Sequence, residues 1–563
     1  SDDRGDSWMA ISGDLTRDQE RLSLPIMGRQ QSWDNPWDLS AMSEYNTITS
    51  LAESPIQEGL IYAGTDDGLI QVTGDGGQIW RRLKIGSIKG IPSTAFVNDI
   101  RADLFDANTV YAALDNHKYG DYKPYVLKST DAGRSWTSVS GNLPDNLLVW
   151  RLVQDHVKKD LLFAATEYGI YFTPDGGNKW IKLKSGIPTI SFRDLTIQRR
   201  ENDLVCASFG RGFFILDDYS PLREVKDNGF SEEPVLFPVK DAWLYVQRSI
   251  LGGSGASHYA AENPPFGAIF SYYLRQDITS LKAKRQKKEK KLIKEGLDIP
   301  FPGWEELDAE KLQKTPEIRL TIKDARGNLV NTIAGKASKG IHRVSWNLRS
   351  ASKRGIRWGE ETSSPGPMII PGTYTVELEK VIDGELTELS GPQRFEVKPL
   401  YSGALEGASD KEKMAFKKEI EAFQQDHLST LLELDKSVKR IKAMQAAILS
   451  LDSEAKELEL RIHNTAERLK DLYSLMHGSP SAMEVGESRL PTPGGRLNVA
   501  SSGLATTYGP TKMHKQSLEA GKSELAKIKQ DLAEIVEVTL PQLEIELKEA
   551  GSPWIEGQGL IKE

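Results

Sequence analysis

The sequence predicts a mainly β protein: the blades of a partial β-propeller, then an immunoglobulin-like β-sandwich, then an α-helical bundle. Three observations predict it. An eight-residue box of the form Ser/Thr-x-Asp-x-Gly-x-x-Trp occurs four times in the first 180 residues. Short apolar runs of strand length recur around those boxes. From about residue 408 the apolar spacing becomes three- and four-fold, the period of a helix. At 563 residues the chain exceeds one hydrophobic core, so several domains are expected.

The boxes are SDDRGDSW (1–8), TGDGGQIW (73–80), STDAGRSW (129–136) and TPDGGNKW (173–180). Before the last three lie two short runs, the first ending in a small pair, as in Ala63-Gly64, Ala112-Ala113 and Ala164-Ala165. Another strand precedes each, NTITSLAE, FVNDIRAD and LVWRLVQD, and SFRDLTIQ opens a fourth unit that ends in GFFILDD without a box. The unit is strand, strand, strand, box turn, strand, the plan of a propeller blade of roughly 40 to 50 residues. The insertions at 16–45 and 115–124 account for the longer intervals between boxes.

A carboxylate accepting backbone N–H groups, a glycine at positive φ and a tryptophan filling space between blades explain the box as a turn. Asp3, Asp75, Asp131 and Asp175, with Trp8, Trp80, Trp136 and Trp180, are therefore assigned to structure. Four equivalent turns cannot converge on one substrate. A box at residue 1 and a fourth unit without one suggest an open row of blades, or one completed by another chain, the missing N-terminal part of the same protein being the first candidate.

Residues 1–225 are assigned to blades and 226–262 to a connector. Alternating strands over 263–400, separated by Gly-rich turns, read as the Ig-like sandwich. It carries a basic helical insertion at 278–314, where LKAKRQKKEKKLIKEG invites a nucleic-acid or acidic-lipid reading. No aromatics interleave it, and the neighbouring EELDAEK can neutralise it, so a solvated helix is expected. Residues 408–563 read as a helical hairpin or bundle, with Ser409 or Asp410 as its first cap, a long loop at 477–510 and a bend or break at Pro541.

A net charge of -8 gives no field that would gather nucleic acid, and none is expected as partner. The single Cys206 excludes an internal disulfide. No apolar run is long enough for a membrane span, so any membrane association would run through a partner.

The order SGDLTRD, the box-bearing segments, GRGFFILDD, then GxxRVxWxLR and PGTYTV before C-terminal helices resembles the bacterial sortilin-type proteins. These are propellers often labelled glycosyl hydrolases for their neuraminidase-type (BNR) Asp-box repeats. The resemblance implies export from a bacterium, to an extracellular, periplasmic or outer-membrane-associated place. Xyloglucan-cleaving two-propeller enzymes use one aspartate from each propeller, and neither finds a match here.

Eight scattered histidines offer no metal motif, and phosphate-loop and serine-elbow signatures are absent. No metal, cofactor or catalytic set is assigned. First-strand residues line a propeller's channel, so Asp99, Arg101, Arg151, Arg193 and Asp194, joined by Arg211, are the candidates for facing a ligand; alternatively they form a self-satisfying Arg-Asp ladder. Trp33, Trp37, Tyr119, Tyr122 and Tyr125 in the two insertions are candidates for stacking on a sugar or anchoring a protein. The expected function is an exported scaffold binding a protein or polysaccharide at the cell surface. The alternative is a glycoside hydrolase whose cleft needs a further propeller.

Overall fold

A computed structural model of the chain describes all residues except 2, 26–27, 35–39, 41–44, 185, 227–229, 231, 248–254, 256, 259–261, 361–364, 401–405, 452–453, 488–490, 507 and 559–563. The chain divides into two compact units, Ser1–Glu232 and Glu233–Glu563.

The first unit is a series of antiparallel meanders. β1 (Ile48–Glu53), β2 (Ile61–Thr65), β3 (Leu69–Thr73) and β4 (Arg81–Lys84) form one sheet in chain order. β5 (Phe96–Ala102), β6 (Val110–Asn116), β7 (Asp121–Ser129) and β8 (Thr137–Ser138) form the next. β9 (Val149–Gln154), β10 (Leu162–Thr166), β11 (Gly169–Thr173) and β12 (Ile181–Lys182) follow. The fourth sheet holds β13 (Phe192–Gln198), β14 (Asp203–Ser208) and β15 (Phe213–Leu216). The middle strands read apolar almost throughout because both faces of an inner sheet are covered.

Consecutive sheets pack face to face. Tyr62 and Ile70 of the first meet Ile100, Ala112 and Leu127 of the second. Tyr111 and Val126 of the second meet Leu152 and Ala164 of the third, and Phe163 and Ile170 of the third meet Leu195 and Cys206 of the fourth. First strands also bond directly to each other: Ile100 N donates to Ser50 Oγ at 2.8 Å, and Leu152 N to Asp99 Oδ2 at 2.8 Å. The sheets thus converge on their first strands, which is how propeller blades pack, and we call them blades.

The box turns are built alike. In the second, Thr73 Oγ donates to Asp75 Oδ1 at 2.7 Å, and that oxygen accepts the N–H groups of Gln78 and Ile79. Gly76 and Gly77 both take positive φ, 71° and 103°. Two of the box tryptophans pack in a core shared with the preceding blade, Trp136 with blades 1 and 2 and Trp180 with blades 2 and 3, where Trp180 Nε1 donates to Val139 O at 2.9 Å. Past β15 the chain is pinned by buried Asp155, which accepts Tyr219 Oη at 2.7 Å and Arg223 Nη2 at 2.8 Å.

In the second unit two sheets face one apolar core. One runs β16 (Val235–Leu236), β18 (Ala268–Leu274), β21 (Gly340–Trp346). The other runs β17 (Ala242–Leu244), β23 (Glu385–Pro399), β22 (Gly372–Ile382), β19 (Glu317–Asp324), β20 (Leu329–Gly335). Phe270, Tyr272 and Trp346 meet Leu320, Val376 and Phe395 between them. Residues 235–244, placed in the connector by sequence, are edge strands of these sheets.

The basic insertion forms α1 (Leu281–Lys294) and α2 (Trp304–Leu312), tied by Arg285, whose guanidinium forks onto Glu310 at 2.7 and 2.8 Å. The bundle comprises α3 (Asp410–Ile448), α4 (Lys456–His477), α5 (Pro480–Glu484), α6 (Pro493–Ser502), α7 (Lys512–Glu534) and α8 (Leu540–Glu549). Ser409 caps α3 in a capping box with Glu412. The stretch 477–510, expected as a loop, contains α5 and α6; Thr492 caps α6 and Pro493 fits its first turn. A π turn, Ile535–Thr539, precedes Pro541, which has no N–H to donate the regular helical bond there.

Candidate functional site

One backbone device repeats in all four blades. The pairing of first and second strand slips between Ile48 and Ser50, Val97 and Asp99, Val149 and Arg151, and Phe192 and Asp194. The residue in each bulge, Thr49, Asn98, Trp150 or Arg193, is re-aimed toward the neighbouring blade. Thr49 Oγ reaches Val97 O at 2.5 Å and Asn98 Nδ2 reaches Val149 O at 3.1 Å.

At the third and fourth bulges the small polar residues give way to Trp150 and Arg193. The guanidinium carbon of Arg193 lies 3.8 Å from the centre of the Trp150 ring and 5.4 Å from that of Phe209. Glu167 sits beside them, accepting Trp150 Nε1 at 3.0 Å and Ser191 Oγ at 2.9 Å, and it is 3.9 Å from Arg193. The His117 and Trp150 rings stand nearly perpendicular with their centres 5.8 Å apart, while His117 Nδ1 contacts buried Asp115. Lys118 lies over Phe96 at 4.4 Å. Phe209 is exposed. These groups stand at the β6–β7, β10–β11 and β14–β15 turns and at or just before the starts of the first strands, the end of the blades away from the boxes.

Asp99 is only 1 % exposed. It holds Arg101 Nε at 3.0 Å and Arg151 Nη1 at 3.1 Å, and Arg151 Nε is 3.8 Å from exposed Asp194. Burial pushes the Asp99 carboxyl up, against the pull of Arg101, the Leu152 N–H and Arg151. Asp99 is thus sealed from any ligand, Arg101 and Arg151 keep only their outer parts in water, and Asp194 is exposed. Arg211 is exposed in the β14–β15 turn.

Of the aromatic candidates, Trp33, Tyr119 and Tyr122 are exposed, and Trp37 lies outside the described residues. Tyr125 is buried, its Oη donating to Asp121 Oδ2 at 2.6 Å, because the 115–124 insertion lengthens the β6–β7 hairpin and turns that ring inward. Trp150, Glu167, His117 and Phe209 were missed by the sequence reading. Aligning the repeats on the small pairs would have put Trp150 and Arg193 at one position.

Among the described residues no group of three His, Cys, Asp or Glu side chains is placed to hold a metal, and no helix is long and apolar enough to cross a membrane.

No family model and no curated protein matches this sequence. Among solved structures, YCF48 bound to D1 peptide is similar at 21% identity over 30% of this chain and 51% of that one, TM-score 0.24. The GH74 xyloglucanase from Xanthomonas campestris aligns at 13% identity over 61% and 45% of the two chains, TM-score 0.26. The extracellular domain of the putative hybrid two component system BT3049 from B. thetaiotaomicron aligns at 12% over 63% and 38%, TM-score 0.25. This chain spans about half or less of the length of those structures. At such TM-scores the likeness carries no argument, and the assignment of blades rests on strand order and packing.

Proposed function

We propose that the first unit is a propeller scaffold that holds a protein or glycan partner at the bulge end of its blades, without catalysis. The observation carrying this reading is the guanidinium of Arg193 stacked between Trp150 and exposed Phe209, with Glu167 beside it. A flat cation between rings offers a partner both an apolar platform and directed N–H donors. Exposed Tyr119 and Tyr122, on the same β6–β7 hairpin as His117, extend the platform. The sequence resemblance to sortilin-type proteins supports a role outside the bacterial cytoplasm, which fractionation of a native host would test.

Binding to an array of peptides and soluble plant polysaccharides tests the reading. Phe209→Ala and Arg193→Ala should each weaken the strongest interaction at least about tenfold, as for interface anchors of these types. A ligand held equally well by both variants would place the site elsewhere. Hydrolysis has one specific support, the water-accessible carboxylate of Asp194 beside Arg151. Release of reducing ends from xyloglucan, abolished in Asp194→Asn, would favour it over binding alone.

A further inference from the structure

The helical insertion of the sandwich is a projecting hairpin. Its root is fixed: Ser280 caps α1, Leu281 N donates to Gln313 Oε1 at 2.7 Å, and Gln313 Nε2 donates to Asp383 Oδ1 at 3.0 Å. Neither helix has a buried residue. The 14 residues of α1 carry the α1–α2 connection about 20 Å from that root. Every residue from 293 to 301 is exposed.

The tip is apolar. Ile293, Leu297, Ile299, Phe301 and Trp304 stand close together in the chain, all exposed, Trp304 by 74 % and Phe301 by 64 %. The two rings pack on each other, their centres 5.1 Å apart and their planes at 70°. Exposed apolar groups gathered at one place mark an interaction surface.

The shaft is basic, with seven lysines, Arg285 and a single acid, Glu289, in α1. Arg285 takes both Glu289 and Glu310, at 2.7 Å each, so that acid is spent inside the hairpin. Lys284, Lys287, Lys291 and Lys294, spaced i, i+3, i+7 and i+10, share the helical face opposite Arg285 and Glu289. All four are exposed. Among the described residues the only ion pair of the α1 lysines is Lys291 with Glu295, at 3.8 Å. The acids of EELDAEK, expected to neutralise the run, meet it in one ion pair, Glu310 with Arg285.

We propose that this hairpin docks the protein on a bilayer rich in anionic lipid, its lysine stripe on the headgroup phosphates and its apolar tip in the boundary between headgroups and acyl chains. Lysine stems can lie along the apolar layer while the ammonium groups stay in water, and aromatic rings suit that depth. Glu305 and Glu306 follow Trp304 directly and are repelled by the same phosphates, so insertion stops at the aromatic pair. A nucleic acid would match the lysines and leave Ile293, Leu297 and Ile299 in water; charge and tip together select lipid. Membrane association then needs no partner. The surface belongs to the second unit, so the inference goes beyond the binding reading above, which concerns the first.

Flotation of the full chain with vesicles tests it. Vesicles of equal parts phosphatidylglycerol and phosphatidylcholine should carry the protein, and phosphatidylcholine alone should hold it at least about tenfold more weakly. The combined Lys284→Gln, Lys287→Gln, Lys291→Gln and Lys294→Gln variant should lose at least about tenfold in affinity for the anionic vesicles, and so should Phe301→Ser with Trp304→Ser. None of these residues is buried, so circular dichroism should stay as in the wild type. An environment-sensitive dye on Ile299→Cys should shift to the blue on anionic vesicles; the other cysteine, Cys206, is buried. Absence of wild-type binding, equal binding to both vesicles, full binding by either variant, or a dye that stays in water would overturn the proposal. So would duplex DNA that binds more tightly than the vesicles and ignores the loss of Phe301 and Trp304. Phe209→Ala and Arg193→Ala should leave vesicle binding intact, which separates this inference from the first-unit site.

Discussion

The boxes at 173–180 and 1–8 make the same turn in opposite surroundings. In both, the aspartate accepts an N–H four residues on, Lys179 N at 3.0 Å and Ser7 N at 2.9 Å. In both, adjoining residues take positive φ, Gly176 and Gly177 in one, Arg4 and Gly5 in the other. Yet Trp180 is 3 % exposed and Trp8 80 %. The turn is therefore made by local hydrogen bonds, and the neighbouring blade decides whether its tryptophan contributes to stability.

The widest separation should come from the tryptophans. Trp180→Ala opens a cavity between two blades and should cost about 3–5 kcal/mol. Trp8→Ala at high dilution should stay within about 0.5 kcal/mol, as at an open surface; denaturant unfolding of the first unit measures both. If Trp8→Ala costs as much as Trp180→Ala, the contrast fails.

Next come the glycines. A Cβ on Gly77 would lie 2.5 Å from Ile11 O, at φ 103°. Gly77→Ala should cost about 1–3 kcal/mol, or push residues 9–12 away and expose them to protease. On Gly5 the nearest atom is 3.9 Å away, so Gly5→Ala should carry only the backbone strain of φ 100°, about 1–2 kcal/mol.

The smallest difference concerns protons. Hydrogen bonds from the Ser7 side chain and backbone, with one from Ser1, lower the Asp3 carboxyl from 3.8 to about 2. Because the folded value is depressed, the turn's contribution is complete above the ordinary carboxyl range. It fades as pH falls from about 3.8 through about 2. Asp131 is also held well below the usual range, by Ser135 above all. A carboxyl-carbon NMR titration should find the Asp3 midpoint near 2 despite its open surroundings; a midpoint near 3.8 would mean that this turn forms only beneath a neighbouring blade.

The blades were legible because their signals are local: a box of eight residues, small pairs opposite apolar strands, and glycines where φ must be positive. The Arg-Asp arrangement was legible in its members but not in its burial, since nothing near Asp99 in sequence says that blade 3 will cover it. The Trp150, Arg193 and Phe209 cluster was harder to see. It depends on a strand slip that leaves no composition signal and on rings from different blades meeting in space. The helices inside 477–510 were hidden by Gly and Pro, although Pro at a first turn, as at Pro493, favours a helix instead of ending it.

The unpaired edge at Phe213–Leu216 has a cost in concentrated solution. Phe-Phe-Ile-Leu is a proline-free run of high β propensity whose open backbone could template fibrillar stacking of unrelated molecules. Arg211 on one flank and Asp217-Asp218 on the other act as gatekeepers, since stacking in register would pile like charges on each other. Neutralising those flanks should turn a soluble protein into one that precipitates on storage.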